Sequence, residues 1–138
     1  MRNPLAWSLI LVLAGCSSHE ISLQAKQEQQ TVLVAGETNL PDGAQLLVGL
    51  RKSAQEDPLC QALPLVKGGR YEGTLRLPQR FTPGHYELRV EFSPRAYAWS
   101  ERVLPEVGKD GEKLAGPLVR DSGLGYRILE KIEGIDLK

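Results

Sequence analysis

An alternation of apolar and charged residues constrains the fold of this chain more than any other feature. Over residues 85–92, the apolar Tyr86, Leu88, Val90 and Phe92 alternate with one histidine, one arginine and two glutamates. Successive side chains of a strand point to opposite faces of its sheet, so this stretch predicts one apolar and one wet face. Such strands are typical of an antiparallel sheet that covers a core with one side.

The same period of two recurs along the chain. It is found in residues 31–35, 45–51 and 70–77. Turns rich in Gly, Pro, Asn and Asp separate these stretches, at 39–43, 68–69 and 83–84. Short strands about ten residues apart, divided by such turns, predict a single all-β antiparallel sandwich.

Three other stretches carry weaker signals. Pro64 cannot donate to a sheet ladder, so residues 60–66 are predicted to be an edge strand. Residues 114–120 are predicted to be a strand that Pro117 interrupts. Residues 100–107 are compatible with the end of a strand or with one short helical turn.

The N-terminus has the parts of a secretory signal. Arg2 precedes an apolar run over residues 5–13, and the small residues Ala14 and Gly15 follow that run. The run has about half the length that a transmembrane helix needs. Cys16 comes directly afterwards. An ordinary secreted protein with a chance cysteine is the alternative to a lipid-modified one.

The motif Leu13-Ala14-Gly15-Cys16 resembles the lipobox of bacterial lipoproteins. The resemblance implies cleavage before Cys16 and a diacylglycerol thioether on it, usually with a third acyl chain on its amine. One acyl chain binds a membrane only marginally, whereas two or three hold a protein there. Asp after the modified cysteine commonly retains such proteins at the inner membrane. Ser17 stands here instead, which favours the outer membrane, with the protein facing the periplasm.

These features predict three segments: a lipoprotein signal peptide over residues 1–15, a polar tether over residues 16–30 and a β-sandwich domain over residues 31–138. The tether is polar and glutamine-rich, and such a stretch buries little apolar surface. Alternation of Ile21, Leu23 and Ala25 leaves an edge strand within it as an alternative.

The charge of the chain excludes one class of partner. Seventeen basic side chains balance seventeen acidic ones, and their signs are interleaved. A nucleic-acid-binding domain needs a basic patch or stripe, so we expect no nucleic acid partner. If Cys16 carries lipid, Cys60 has no intramolecular partner. We expect a buried thiol there, with an intermolecular disulfide or a reactive thiol as the alternative.

A second resemblance concerns the domain itself. Residues 34–48 together with Pro83-Gly84-x-Tyr86-x-Leu88 look like Ig-like or transthyretin-like sandwich domains of bacterial exported proteins. Residues 107–116 look like a stretch of small uncharacterised bacterial lipoproteins. These resemblances imply a fold and bring no active site. In Ig-like domains a tyrosine at a strand start bonds to upstream backbone, which is the role expected for Tyr86.

Residues for catalysis or metal binding are sparse. His19 falls in the predicted tether, and His85 is predicted to face solvent. A general base must be held close to its target by packed neighbours, so neither histidine fits that role. The chain lacks the ligand spacings of zinc and calcium sites. We therefore expect no catalytic residue, no metal and no cofactor.

Tyr97 and Trp99 would share one strand face. If these two side chains are exposed, they could contact a partner protein or stack on a sugar ring. If they are buried, they belong to the hydrophobic core. The sequence predicts a non-catalytic envelope lipoprotein, attached to the membrane through Cys16, that interacts with another envelope protein. The alternatives are a glycan or cell-wall binding module that uses Tyr97 and Trp99, and a small inhibitor of an envelope enzyme.

Overall fold

A computed structural model of the protein describes residues 18–95 and 103–138. These residues form eight strands and one short helix. The elements are β1 (Gln24–Glu28), β2 (Thr31–Glu37), β3 (Leu46–Arg51), β4 (Cys60–Ala62), β5 (Arg70–Arg76), β6 (Gly84–Phe92), α1 (Val103–Val107), β7 (Val119–Asp121) and β8 (Arg127–Leu137).

The strands form two antiparallel sheets that pack as a sandwich. One sheet has three strands in the order β1-β2-β5, and the other has five in the order β4-β3-β6-β8-β7. All the strand pairings are antiparallel. The predicted all-β sandwich is therefore confirmed, and β4 lies at a sheet edge as Pro64 indicates.

The core lies between the sheets and is built from the apolar positions of the alternating strands. The fully buried side chains include Val32, Leu75, Leu46, Val48, Leu50 and Val90. Each such side chain contributes about 2 kcal/mol through removal of its apolar surface from water. Between the core positions of β6, the charged residues face outward, which follows directly from the period of two.

The expected role of Tyr86 is confirmed. Its ring is buried, and its hydroxyl donates a hydrogen bond of 2.6 Å to the carbonyl of Thr82, four residues upstream. Lys52 Nζ lies 5.0 Å from the centre of the same ring. This bond ties the turn before β6 to the start of the strand, as a tyrosine corner does.

The sandwich has a proximal end and a distal end. The proximal end holds the start of β3 and the end of β6, where Leu46 lies opposite Phe92. It also holds residues 38–44 and 67–69 and the segment 103–118. The distal end holds the β1–β2 turn, residues 52–58 and 78–83, and the C-terminus. There the side chain of Gln27 donates to the Lys138 carbonyl at 3.0 Å.

The predicted tether has to be corrected, because the sandwich begins before Thr31. Residues 24–28 are β1, paired with β2 along its whole length, and Ile21 is 3% exposed. The polar side chains of this stretch point to solvent while its backbone forms sheet hydrogen bonds. Polar composition does not reveal such an edge strand, because the backbone hydrogen bonds of a sheet form with polar as well as apolar side chains.

Two details on the C-terminal side also differ from or refine the prediction. The strand expected over residues 114–120 is reduced to β7, because Gly116 has a φ of 110° and Pro117 has no N–H to donate. The alternative of a helical turn holds for residues 103–107, where Val103 and Val107 are both buried. Among the described residues, no helix has the length and apolarity needed to cross a membrane.

Candidate functional site

The first described residues, 18–23, are bonded to the segment that follows β2. The Asn39 side chain contacts them twice: its Oδ1 accepts from the Glu20 N–H at 2.9 Å, and its Nδ2 donates to the Ser18 carbonyl at 2.7 Å. Thr38 Oγ1 donates to the Glu20 carbonyl at 2.6 Å. The Asn39 amide thus makes the two hydrogen bonds that a neighbouring strand's backbone would otherwise make, and it holds residues 18–20 in place.

A second set of bonds lies at Ser22. Its N–H donates to the Glu37 carbonyl and its Oγ accepts from the Glu37 N–H, both at 2.8 Å. The Tyr71 hydroxyl donates to the Ser22 carbonyl at 2.6 Å. A Cβ on Gly36 would lie 2.0 Å from that carbonyl oxygen, so only glycine fits beneath the contact. Burial raises the pKa of Tyr71 to about 12.

The third set of bonds joins the segment to the loop before β7. The His19 N–H donates to the Ala115 carbonyl at 2.7 Å, and the Ala115 N–H donates to His19 Nδ1 at 3.1 Å. Because Nδ1 accepts, the ring proton of a neutral imidazole is on Nε2. A Cβ on Gly116 would lie 3.2 Å from Ser18 Cβ. His19 is therefore held in the domain, which corrects its predicted place in a tether.

We call this assembly the N-terminal junction. It consists of residues 18–23 together with Thr38, Asn39, Tyr71, Ala115 and Gly116. Cys16, the predicted lipid attachment residue, lies outside the described residues, and Ser18 is two positions after it. The junction is thus the part of the domain that directly follows the lipobox motif.

The predicted contact residues Tyr97 and Trp99 also lie outside the described residues. The chain enters that stretch after Arg95, whose Nε donates to Asp110 Oδ1 at 3.0 Å and whose guanidinium lies 5.1 Å from the centre of the Tyr126 ring. Contact of Tyr97 and Trp99 with a partner or a glycan therefore stays a prediction.

A ladder of charges crosses the outer face of the five-stranded sheet. Arg89 pairs with Glu91 at 2.6 Å and with Glu130 on the neighbouring strand, and Arg51 pairs with Glu87 at 3.3 Å. Desolvation lowers the pKa of Arg89, but hydrogen bonds and charges of Glu130 and Glu91 outweigh it and raise the pKa. The guanidinium is therefore a fixed cation at the centre of this face.

Exposed apolar side chains border the charges. Ile132 lies directly opposite Arg89 and is 43% exposed, and Leu63 and Leu65, which follow β4, are 45% and 56% exposed. We call the surface made by these three residues and the charge ladder the outer ladder face. The exposed apolar side chains offer area that a partner can bury, and the fixed charges favour a partner with a complementary charge pattern. This combination suits recognition of another protein.

His85 and Cys60, the other candidate reactive side chains, are not part of a catalytic or metal-binding cluster of the described residues. His85 faces solvent as predicted, with Nδ1 2.9 Å from Asp136 Oδ1, and both side chains are largely exposed. The described residues hold no group of three His, Cys, Asp or Glu side chains that could bind a metal. Cys60 is half-buried against the core, and desolvation raises the pKa of its thiol. The burial expected for this thiol is thus only partial, and its packing against the core fits a small apolar side chain.

No protein family matches the chain, and no curated protein matches it. The structure brings His19 and its neighbours together with Thr38, Asn39, Tyr71 and Ala115, a set of contacts that the sequence patterns did not predict. Asn39 is an ordinary turn residue by sequence, and only Gly36, a glycine inside a strand, signals a close approach there.

Proposed function

We propose that this chain is a lipid-anchored protein of the bacterial envelope, and that its β-sandwich is a non-catalytic module that binds another envelope protein. The observation that carries the proposal is the order of its parts: the lipobox-like Leu13–Cys16 motif stands immediately before a folded sandwich. Ser17 after the cysteine favours the outer membrane, with the domain on the periplasmic side.

The outer ladder face is the surface proposed for binding. Its support is the combination of three exposed apolar side chains with a compensated charge ladder. A protein partner that covers Leu63, Leu65 and Ile132 gains apolar burial, and the fixed charges select a complementary pattern. The charges of Arg89, Glu91 and Glu130 already neutralise one another within the domain. Arg89 therefore contributes to the orientation and specificity of binding more than to affinity.

Two experiments test the two parts of the proposal. For the anchor, cells that express the chain are fed an alkynyl fatty acid, and label on the protein is measured. We expect label on the wild type and none on Cys16→Ala. Equal labelling of both proteins, or labelling of neither, would overturn the assignment.

For the binding surface, a photoreactive amino acid is placed at Leu65 or Ile132 in intact cells. Leu124 is the matched control, because it is an exposed leucine, 74% accessible, in the loop between β7 and β8 and is not one of the residues that define this face. We expect a discrete crosslinked protein from the first two positions only. The same crosslinks from Leu124 would show that this face has no special role.

A further inference from the structure

We infer that the lipidated protein has no spacer: its sandwich lies directly on the bilayer, with the proximal end against the lipid headgroups. The inference rests on the lipid attachment at Cys16 proposed above. It goes beyond that proposal because it states which end of the domain faces the membrane and how far the protein reaches from it.

Very little chain joins the anchor to the domain. One residue, Ser17, lies between Cys16 and Ser18, and the two Cα–Cα steps that join them span at most about 7 Å in any conformation. Ser18 itself is held, since its carbonyl accepts from Asn39 and its Cβ lies against Gly116. Because Ser18 is fixed in the N-terminal junction, only the few ångströms of chain before it can separate the lipid from the surface of the domain.

The N-terminal junction lies at one end of the sandwich. Thr38, which bonds the N-terminal segment, also donates its N–H to the Gly69 carbonyl at 2.9 Å. His19 bonds Ala115, in the loop that precedes β7. Both contacts lie at the proximal end, so the turns at 38–44 and 67–69 and the 108–118 loop face the headgroups.

The described turns and loop of the proximal end carry both signs of charge. They hold Asp42, Lys67, Glu106, Lys109, Asp110, Glu112 and Lys113. Attraction to anionic lipids needs a cluster of basic residues, which these described residues do not provide. The covalent anchor, and not the lipid charge, therefore holds the proximal end at the membrane.

The distal end has a limited reach from the anchor. β8, the longest strand, has eleven residues, which corresponds to about 36 Å of strand. With the short connection to Cys16, the strands of the described residues stay within about 45 Å of the headgroups. The outer ladder face runs along the strands between the two ends. A partner that binds this face therefore meets it within about 45 Å of the headgroups.

The test uses the native lipidated protein in nanodiscs whose lipids carry a nitroxide on the headgroup. Paramagnetic broadening of backbone amide signals falls steeply with distance from the nitroxide. We expect the amides of Gly69 and Ala115 to lose several-fold more intensity than those of Gln29 and Gln55 at the distal end. The same pattern is expected with and without anionic lipid.

The control is an insertion of about sixteen Gly and Ser residues between Ser17 and Ser18, which adds a flexible spacer of about 20 Å. It leaves every junction contact intact and should remove most of the difference between the two ends. Equal broadening of both ends in the native protein, or a pattern unchanged by the insertion, would overturn the inference.

The two proposals fail in distinguishable ways. Mass spectrometry of the purified protein shows whether Cys16 carries lipid. A chain without lipid contradicts the proposed anchor, and with it this inference. A lipidated chain with uniform broadening contradicts only the direct placement on the bilayer.

Discussion

His19 and Ala115 exchange two hydrogen bonds across 96 positions of sequence, through both N–H groups, one carbonyl and one imidazole nitrogen. Neither residue belongs to a strand. Their contact closes the proximal end of the sandwich and connects the N-terminal segment to the loop before β7. The chain after Cys16 is thereby part of the domain from Ser18 onward.

Replacing Asn39 should loosen the N-terminal junction. Asn39→Ala removes one donor and one acceptor to the backbone of Ser18 and Glu20. Each such bond contributes about 1 kcal/mol, so the free energy of unfolding should fall by about 1–2 kcal/mol. Urea denaturation of the mature chain measures this. Hydrogen exchange at the Glu20 amide should accelerate, and Gln55→Ala in the exposed 52–58 loop should change neither quantity.

Gly116 and Gly123 form a matched pair for testing the packing at Ser18. Both have positive φ, 110° and 83°, but a Cβ on Gly116 meets Ser18 and His19 whereas a Cβ on Gly123 meets open space. Gly123→Ala should cost only backbone strain, about 1 kcal/mol. Gly116→Ala should cost more and should also speed hydrogen exchange at the His19 and Ala115 amides.

Equal thermal stabilities of the two alanine variants, with unchanged exchange at His19, would contradict the packing of Gly116 against the N-terminal segment. Both variants replace a glycine with the same residue. Their φ angles differ, so the faster exchange at the His19 and Ala115 amides, rather than stability alone, reports the contact with Ser18 and His19.

The buried hydroxyl of Tyr71 should make the protein sensitive to alkali. Its pKa is raised to about 12 in the folded chain from about 10 in the unfolded one. Between these values only the unfolded state has released the proton, so stability decreases as pH rises from about 10 to about 12. Below pH 10 both states are neutral and this contribution is fully present.

Denaturation midpoints measured between pH 9 and pH 11.5 test the titration of Tyr71. Tyr71→Phe loses the hydrogen bond to Ser22 and should be less stable at neutral pH, but its stability should fall less steeply above pH 10. A pH dependence identical to that of the wild type would show that Tyr71 is not responsible.

Gln45 offers a route to a more stable protein. Its Oε1 is buried and has no hydrogen-bond partner among the described residues. An unsatisfied buried acceptor costs about 1–3 kcal/mol, which an apolar side chain of similar shape avoids. Gln45→Met should therefore raise the melting temperature. Gln61→Met, at an exposed position on β4, is the control and should leave it nearly unchanged; a lower melting temperature for Gln45→Met would indicate a partner that satisfies the amide.

Much of the fold could be predicted because its signals are local. The alternation in β6 and the Pro-Gly turn before it predict a strand with Tyr86 at its start, and the hydroxyl bond to Thr82 spans only four residues. Pro64 likewise indicates an edge strand from the missing N–H alone. β1 was underestimated because its side chains are polar and its stability comes from backbone pairing with β2.

The alternating faces, the turns between strands and the lipobox-like motif are local features, because each depends on neighbouring residues, and they can be recognised without the structure. The contacts of Ser18 with Asn39 and Gly116 could not be predicted in this way, since they depend on the packing of two sheets and on residues far apart in the chain. Side-chain polarity alone made residues 16–30 resemble a tether. The hydrogen bonds of Asn39, Tyr71 and Ala115 to residues 18–23 make the described part of that stretch a portion of the sandwich.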